Sequence, residues 1–592
     1  MSKLIAKKCA ESLVIPKKSV IFAVDFEKWS RYMRRWIYVM LFVFLSSPVL
    51  FAEESEALPI YDMSADRVTI YPCRMDLSGE ETLMDVLQMF PDLLSNAYNN
   101  WLDGYSIRID NGPYGGDMRV LLTQTKAIRV EKIQICDNPG VAKGITGMNG
   151  VVDLYMKPFE GVHGSVTAQM AVDRMVTPAF ELTVGAPSTE IIANGSYTYQ
   201  PVEGNVSNHN VFSNFHMTNQ LTDKDELVTY FTQSFFREPN PIDTTRTDYR
   251  YYTAQVRHHH YFDPQTMLLT AVVYNHTFAP HVRFTINEGP ATSFLSSDWQ
   301  GTFAACQELD KTLFGSFNIM AGWEVDYGMG DQRVVDEPSL DGPSTLDYRV
   351  MNADAYFELD YTLKNKWRFT FGDRVMFYRY RVLNLLTGQF VHNDWRNMLH
   401  LSVIYTPHRE HQIQVAYVRK FYNPYYLGIF REAQGMTDEE WMLAEKNIVE
   451  TQLNEVKVGY GFTRPNLAVH LNTYYYTVAN SYNFFKVDAS AYYRYKFFSV
   501  SGGVNLYMAN DKNYAVARLM PIFFLPYQIQ IRPQVTYYTS AAPARMYNYD
   551  KPVYASLQIN KQFESFLDLF IQWHDIFNGK RGMGLIGIQL NL

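Results

Sequence analysis

From Gly164 onwards, stretches of about ten residues alternate apolar and polar side chains at every position, the length and period of a membrane-crossing strand. The last stretch places Ile586, Ile588, Leu590 and Leu592 on one face and Gly587, Gln589 and Asn591 on the other. Only helices and closed barrels can cross lipid, because every backbone polar group must be paired there. No apolar run of spanning length follows residue 52. The pattern therefore predicts a membrane β-barrel.

The connections between these stretches form two sets when they are read alternately. One set is short, at 187–188, 222–225, 263–264, 310–311, 364–366, 464–466 and 562–564. The other is longer and richer in Gly, Pro and Asp, at 201–209, 237–247, 279–298, 326–345 and 422–450. Short periplasmic turns and long extracellular loops are typical of outer-membrane barrels. We predict a barrel of about 22 antiparallel strands over residues 161–592, in the outer membrane of a Gram-negative bacterium.

Individual strands predict which side chains face the interior. Residues 467–475 place Leu, Val, Leu, Thr and Tyr on one face and Ala, His, Asn and Tyr on the other. Arg532 should point inward, because a cation facing lipid at midplane costs about 2 to 4 kcal/mol. Pro533 lacks a backbone donor and predicts a bulge or a strand end.

Composition agrees with this interpretation and narrows the function classes. Aromatic residues make up 15% of the 592 residues and charged residues only 19%, as expected where aromatic girdles ring a barrel. A tyrosine-rich soluble sandwich or propeller is the alternative that composition leaves open. The net charge of −8 gives no basic footprint, so we predict no nucleic-acid partner.

The first part of the chain indicates targeting. Three arginines, an apolar run over residues 36–45 and Ala52 follow the order of a secretory signal, so we assign 1–52 to leader and signal peptide. An uncleaved anchor is the alternative. Residues 53–75 are expected to be a periplasmic linker. Cys73 and Cys136 could pair in an oxidising periplasm or remain free thiols.

Residues 76–160 do not follow the barrel pattern. An amphipathic helix is predicted over 81–90, followed by a strand and turn over 105–113, a strand over 130–136, a glycine-rich stretch and a strand over 151–157. We therefore expect a small α+β domain. Because a barrel of about 22 strands is too wide for its own side chains to fill, this domain is expected to plug the lumen.

At these positions the chain resembles the TonB-dependent outer-membrane receptors, in particular those of Bacteroidetes-type bacteria. The matching segments are 87–91, 109–113, 130–139, 147–154, 443–460 and 575–578. The resemblance implies a receptor that binds a scarce ligand, such as a metal chelate, a cofactor or a glycan, and imports it. It also implies TonB as a partner, and a surface lipoprotein or another envelope protein as a further one.

The resemblance implies a TonB-contacting segment between leader and plug. Residues 66–70 have the β-prone character needed to add a strand to a periplasmic partner, with Asp66, Val68, Thr69 and Ile70 as candidate contacts. Ligand is expected where loops and the outer face of the plug meet. The candidate ligand-binding residues are Asp103, Tyr105, Tyr114, Asp117, Arg119, Tyr425, Tyr426 and Trp441.

Enzymatic and metal sites are not expected. His258, His259 and His260 occupy consecutive strand positions and cannot all ligate one ion. His408 and His411 flank a short turn without a third ligand. We find no phosphate-binding loop, dinucleotide motif or nucleophile elbow, and we predict no resident cofactor. The alternative function is a plugged barrel that no longer transports and acts as a scaffold in an outer-membrane complex.

Overall fold

The computed structural model describes residues 59–75, 77, 81–88, 105–114, 118, 121–122, 125–143, 150–171, 174–202, 206–239, 246–286, 292–336, 344–384, 388–421, 452–478, 483–509, 513–539, 552–563, 567–574, 576 and 583–591. Candidate residues Asp103, Asp117, Arg119, Tyr425, Tyr426 and Trp441 lie outside this set, as do the leader and its expected cleavage site. Among the described residues, no helix combines the length and hydropathy needed to cross a membrane.

The N-terminal part forms a six-stranded sheet, which we call the plug. Its strands are β1 (Tyr61–Met63), β2 (Val68–Ile70), β3 (Tyr105–Ile109), β4 (Gly112–Pro113), β5 (Val130–Cys136) and β6 (Gly150–Met156). They are hydrogen-bonded in the order β1-β2-β5-β6-β3-β4, with β3 and β6 parallel. Helices α1 (Leu83–Gln88) and α2 (Gly140–Lys143) and 3-10 turns at Pro72–Arg74 and Ala127–Arg129 complete it.

The plug has an apolar core, which continues into barrel side chains such as Tyr230 and Tyr492 and explains why the helix and strand patterns are visible in the sequence. Leu83 and Val86 of α1 are fully buried, together with Ile133 of β5 and Leu154 of β6. Thr82 caps the start of helix α1: its hydroxyl accepts a hydrogen bond from the Asp85 backbone N–H, and the Asp85 carboxylate accepts from the Thr82 hydroxyl and backbone N–H.

The remaining strands close into one antiparallel barrel of 22 strands, β7 to β28. They are Gly161–Ala171, Val176–Ala186, Thr189–Val202, Val206–Thr222, Asp225–Pro239, Arg246–Asp263, Thr266–Ile286, Thr292–Leu313, Phe317–Asp336, Ser344–Leu363, Trp367–Asn384, Gly388–His408, His411–Phe421, Gln452–Arg464, Leu467–Val478, Asn483–Tyr495, Phe498–Ala509, Asn513–Leu525, Ile529–Tyr538, Val553–Phe563, Leu567–His574 and Met583–Asn591. Strand β28 pairs with β7, from Ser165 opposite Asn591 to Ala171 opposite Leu585.

The predicted faces are confirmed. On β28, Ile586, Ile588 and Leu590 are 60%, 43% and 47% exposed on the outside of the barrel, while Gln589 is buried. On β21, the Ala, His, Asn and Tyr of residues 468–474 are buried and the alternate residues are not. Arg532 points inward and is buried, as predicted. An apolar exterior closed around a polar interior is the form that lipid requires, and the protein is an outer-membrane barrel.

Several strands are longer than the sequence pattern indicated. The segments 279–286 and 292–298 extend β13 and β14, and residues 326–336 extend β15, where long loops were predicted. The alternation of apolar side chains ends where lipid ends, but backbone pairing can continue beyond it. The turn expected at 310–311 lies instead between β14 and β15, at Phe314 to Ser316, where Phe314 and Gly315 have positive φ.

Pro533 marks neither a bulge nor a strand end. It lies in the middle of β25, opposite Leu557 of β26. On the other side, pairing with β24 is interrupted between Leu519 opposite Val535 and Phe523 opposite Ile531, without a change of register. The missing proline donor is therefore accommodated by a local gap in one ladder.

The structure also defines part of the expected linker and the state of two cysteines. Residues 61–70 form strands β1 and β2 of the plug sheet, because β2 pairs with β5 across a gap of more than 60 residues that local patterns do not reveal. Cys73 and Cys136 are free thiols, whose sulfurs donate to the backbone carbonyls of Glu131 and Asp66 respectively.

Candidate functional site: the interface between plug and barrel

Charged side chains on the inner face of the barrel are segregated by sign. Strands β14 to β16 form what we call the acidic wall. Their inward positions carry carboxylates and, among the described side chains, neither Lys nor Arg; the carboxylates are Glu308, Asp310, Glu324, Asp326, Asp354, Glu358 and Asp360.

Strands β17 to β25 form the opposite surface, which we call the basic wall. Its inward cations are Arg368, Arg374, Arg396, Lys420, Lys457, Lys486, Arg494, Arg518 and Arg532, against the carboxylates Asp394, Glu455 and Asp488. Arg374 lies on β17, next to the acidic wall. Its guanidinium nitrogen is 2.7 Å from a carboxylate oxygen of Glu324 and 2.5 Å from one of Asp354. The lumen thus has an acidic side and a basic side.

The plug presents cationic groups to the acidic wall. The guanidinium of Arg108 on β3 lies 3.3 Å from Glu308 and 3.7 Å from Asp153 of the plug. All three side chains are more than nine-tenths buried, so these charges interact with little screening by water. Lys143 adds a second contact to Asp153 at 3.1 Å.

Glu358 of the acidic wall binds the first turn of α2. Its carboxylate accepts hydrogen bonds from the backbone N–H groups of Val141 at 2.7 Å and Ala142 at 3.4 Å. Gly140 has a φ of +84°, and a Cβ there would overlap the Glu358 carboxylate. Only glycine satisfies both the backbone conformation and this close approach.

The plug presents carboxylates to the basic wall. The Asp137 carboxylate accepts hydrogen bonds at 2.7 Å from the hydroxyls of Tyr105 in the plug and Tyr474 on β21. Burial raises the pKa of Asp137, but Lys457 and Lys486 outweigh burial and hold that pKa well below its ordinary value. Asp137 is therefore a partly buried anion on the cationic side of the lumen.

The β1–β2 hairpin is held by the basic wall. The Met63 N–H donates to the Thr463 hydroxyl of β20 at 2.8 Å, and that hydroxyl donates to Asp62 at 3.1 Å. Gly459 and Gly461 of β20 leave room for the hairpin backbone, since a Cβ at Gly461 would overlap the Met63 carbonyl oxygen. The hairpin therefore lies in a groove made by two glycines.

Two ion pairs complete this attachment. Asp66 pairs with Arg67 of the plug at 2.9 Å and with Arg368 on β17. Burial raises the pKa of Asp66, but the two guanidinium groups hold it well below its ordinary value. Glu81, just before α1, pairs with Arg532 on β25 and accepts from the Asn560 amide at 3.1 Å.

The candidate residues inside the described set have structural partners. Tyr105 donates to Asp137, and Tyr114 packs edge-on against Tyr230 of the barrel with ring centroids 5.8 Å apart. Val68 and Ile70 are buried in β2, which is paired on both sides, and Thr69 lies between them. Ligand binding by Tyr105 and Tyr114 stays a prediction. TonB binding by residues 68–70 also stays a prediction, and it would require β2 to leave the sheet.

The histidines lie as expected on opposite faces of β12. His259 is buried and contacts Glu226 at 2.8 Å, while His258 and His260 both contact Asp225. Within the described part of the chain, no group of three or more His, Cys, Asp or Glu side chains is arranged to hold a metal ion.

The fold and this interface define a class: an outer-membrane β-barrel of 22 strands whose lumen holds a folded plug. No protein-family model matches the sequence, and the comparison with curated proteins gives no match. Solved structures of TonB-dependent outer-membrane receptors share the fold, which confirms the resemblance at that level; the Bacteroidetes-type features stay a prediction.

Three of these structures illustrate the extent of the similarity. The ferric-catecholate import receptor Fiu from E. coli K12 superposes with a TM-score of 0.66 at 11% identity, over 90% of this chain and 97% of that one. The siderophore receptor PirA from Pseudomonas aeruginosa superposes with a TM-score of 0.63 at 12% identity, over 91% of this chain and 100% of that one. The copper transporter OprC superposes with a TM-score of 0.69 at 9% identity, over 91% of this chain and 100% of that one.

Sequence reasoning did not find the residues that join plug to barrel. Glu81 and Arg532 are 451 positions apart, and Asp66 and Arg368 are 302 apart. The sequence indicated only that Arg532 faces inward, because it is a cation within a lipid-spanning strand. Its partner had no sequence signal.

Proposed function

We propose that this protein imports a scarce ligand, such as a metal chelate, a cofactor or a glycan, across the outer membrane, and that a periplasmic TonB protein supplies the energy. The observation that carries the proposal is a plug sheet, distinct from the barrel sheet, that is joined to the barrel wall largely by hydrogen bonds and ion pairs. Such contacts can be broken and remade without unfolding the barrel. The fold shared with import receptors supports the same proposal.

The plug divides into two halves with different attachments. Residues 59–88, the N-terminal half, contact strands β17, β19, β20, β22, β25 and β26. Residues 105–156, the C-terminal half, are bound around the lumen: Arg257 of β12 donates to the Ile109 carbonyl at 2.5 Å, and Lys126 donates to Gln589 of β28 at 2.7 Å. A pull on the N-terminus therefore acts first on the half with contacts on one side.

Capture by TonB tests the proposal. A photo-crosslinking residue placed at successive positions between residues 53 and 76 should capture the purified C-terminal domain of TonB, with a periodicity of two if a strand is added. The same residue in a periplasmic turn, at Asn466, is the control. Strand β2 is paired on both sides, so it must leave the sheet before TonB can bind it. Asp66→Asn removes the ion pair with Arg368 that holds the hairpin to the barrel, and it should therefore raise capture at Thr69.

Absence of capture at every position in both backgrounds would contradict energised import. Stable co-purification of the uncaptured protein with envelope proteins would then favour the scaffold alternative, in which the plug is a fixed structural element.

A further inference from the structure

We infer that a second copy of this chain binds to the lipid-facing surface of strands β17 to β19, around a two-fold axis normal to the membrane. The inference goes beyond the proposed function, because it involves neither the ligand nor TonB. It starts from two charged side chains on the outside of the barrel.

Asp373 faces outward from the middle of β17. Its outward neighbours Phe371 and Val375 are 41% and 44% exposed, whereas the residues directly before and after Asp373 are buried. Trp367, six residues earlier, stacks on Tyr405 near the periplasmic end, with ring centroids 4.3 Å apart. With a rise of about 3.3 Å per residue and a strand tilt of about 40°, Asp373 lies about 15 Å above these rings, within an apolar band about 25 Å tall.

A second pair of rings marks the upper limit of this band. Phe377 of β17 and Trp395 of β18 have ring centroids 4.9 Å apart, and both lie further towards the extracellular end than Asp373. Asp373 is therefore level with the hydrocarbon. Its carboxylate accepts a hydrogen bond from the Asn397 amide of β18, which satisfies one oxygen but does not neutralise the charge.

Arg419 faces outward from β19, on the other side of β18. Val418 and Lys420 on either side of it are buried, whereas Ile413 and Val415 are 42% and 52% exposed on the outside. The Nε of Arg419 is buried and has no hydrogen-bond partner in the described part of the chain. The strands on both sides of β18 thus carry one lipid-facing charge each, and the two charges are opposite.

This pair of charges is unusual for the barrel. Among the described side chains, Asp373 and Arg419 are the only Asp, Glu, Lys or Arg residues that face outward between the two levels of rings. Other outward charges lie near the periplasmic turns or above the upper rings, including Asp225, Lys311, Lys561, Arg237, Arg250, Arg349, Arg379 and Arg381. A charge that faces hydrocarbon is costly unless it is paired, so these two positions indicate a contact with another protein surface.

A two-fold axis through Leu399 of β18 pairs the two charges between copies. Asp373 is opposite Leu399. His400 is opposite Val418, so Arg419 lies next to the same line across the strands. A half-turn about the membrane normal keeps each residue at its depth and places β17 of one copy against β19 of the other.

Asp373 of each copy then faces Arg419 of the other, and the contact occurs twice, as an isologous interface requires. The line across the tilted strands changes depth by about 3 Å per strand, which the arginine side chain is long enough to span. Within one chain, Leu399 lies between the two charges. Pairing between copies removes that obstacle.

This self-complementarity favours a second copy over a different partner. Another barrel would need an acidic and a basic residue at the matching depths, whereas a second copy supplies both. Trp395 is 70% exposed, the most exposed of the described tryptophans, and it lies on β18 two residues from Asn397. It offers an aromatic anchor of the kind that dominates protein interfaces.

Charge reversal in full-length copies with two different affinity tags tests the contact. Asp373→Arg in both copies, or Arg419→Asp in both, places like charges against each other and should reduce co-purification of the two tags by about tenfold or more. When one copy carries Asp373→Arg and the other Arg419→Asp, both contacts regain opposite charges, and co-purification should return. Pairing within one chain could not be restored in this way. Arg250→Asp, outward on β12, is the control that should leave co-purification unchanged.

Disulfide formation tests the axis in intact outer membranes. With Cys73, Cys136 and Cys306 replaced by Ser, Leu399→Cys should form a disulfide-linked dimer when oxidant is added, because the axis brings its two copies together. Leu182→Cys, outward on β8 across the barrel, is the matched control and should stay monomeric.

A monomer with Leu399→Cys, or linkage no greater than with Leu182→Cys, would overturn the dimer. Co-purification that survives both reversals, or that the mixed pair does not restore, would overturn the charge contact. Heat-modifiable migration in gels checks that each variant has a folded barrel. Where Asp373→Arg prevents folding, Asp373→Asn and Arg419→Gln replace the reversals; each should weaken co-purification, and no change in either would overturn the contact.

Discussion

The ion pair between Glu81 and Arg532 should be worth several kcal/mol to the attachment of the plug. The Glu81 side chain is fully buried and that of Arg532 is 4% exposed. Removing one member of such a pair leaves an uncompensated buried charge, which costs about 3 to 5 kcal/mol. Glu81→Gln and Arg532→Gln should therefore each destabilise the N-terminal half by that amount.

Native-state hydrogen exchange measures this change segment by segment. At about 1.4 kcal/mol per factor of ten, the amides of β1 and β2 should exchange about two to four orders of magnitude faster in either single variant. The amides of β3 and β6 should change much less, because their half of the plug keeps its own contacts with the barrel. Peptide-level mass spectrometry separates these segments.

The double variant provides the control. If the two residues act as a pair, its loss should fall short of the sum of the single losses by about 0.5 to 3 kcal/mol. Single variants that exchange within threefold of the unmodified protein would refute the assigned energy. A loss spread evenly over the plug would refute the division into two halves.

Other positions give independent tests. Burial raises the pKa of Asp110 to about 6, so the folded plug binds the proton more tightly than the unfolded chain does and loses stability as pH rises to that value. Asp110→Asn should therefore stabilise the plug by about 2 to 3 kcal/mol at pH 8 and by little at pH 4. Hydrogen exchange of the plug amides at increasing urea concentrations would measure both values. Gly461→Ala should displace the β1–β2 hairpin and cost about 1 to 3 kcal/mol, whereas Gly328→Ala, whose Cβ meets nothing closer than 3.9 Å, should not, by the same exchange assay. Cys73, exposed and unpaired, should react with a thiol reagent without prior reduction, and faster than the only partly exposed Cys136, as read from labelled peptides.

The barrel was largely predictable because lipid imposes a period of two on every strand that crosses it. The same rule placed Arg532 inside before any partner was known. Where lipid ends, the rule ends too, so the sequence pattern predicts a loop at residues 279–286 although they continue β13. Secondary structure beyond the membrane depends on pairing between neighbouring strands, which alternation does not record.

The plug was predictable where its elements are long enough to show a pattern. Strands β5 and β6 have seven residues each and were found. Strands β1 and β2 have three residues each, too few to establish a period, and they exist because β5 offers them an edge. The division of the lumen into acidic and basic walls was equally hidden, because it emerges only when inward positions of nine or more strands are placed side by side.

The pairing of β28 with β7 has a consequence for biogenesis. Ser165 and Asn591 become neighbours only after the intervening 425 residues have been arranged into a sheet. Until that seam is sealed, two open edges would face hydrocarbon, where no water can satisfy their backbone groups. Closure of the barrel in the membrane must therefore await export of strand β28.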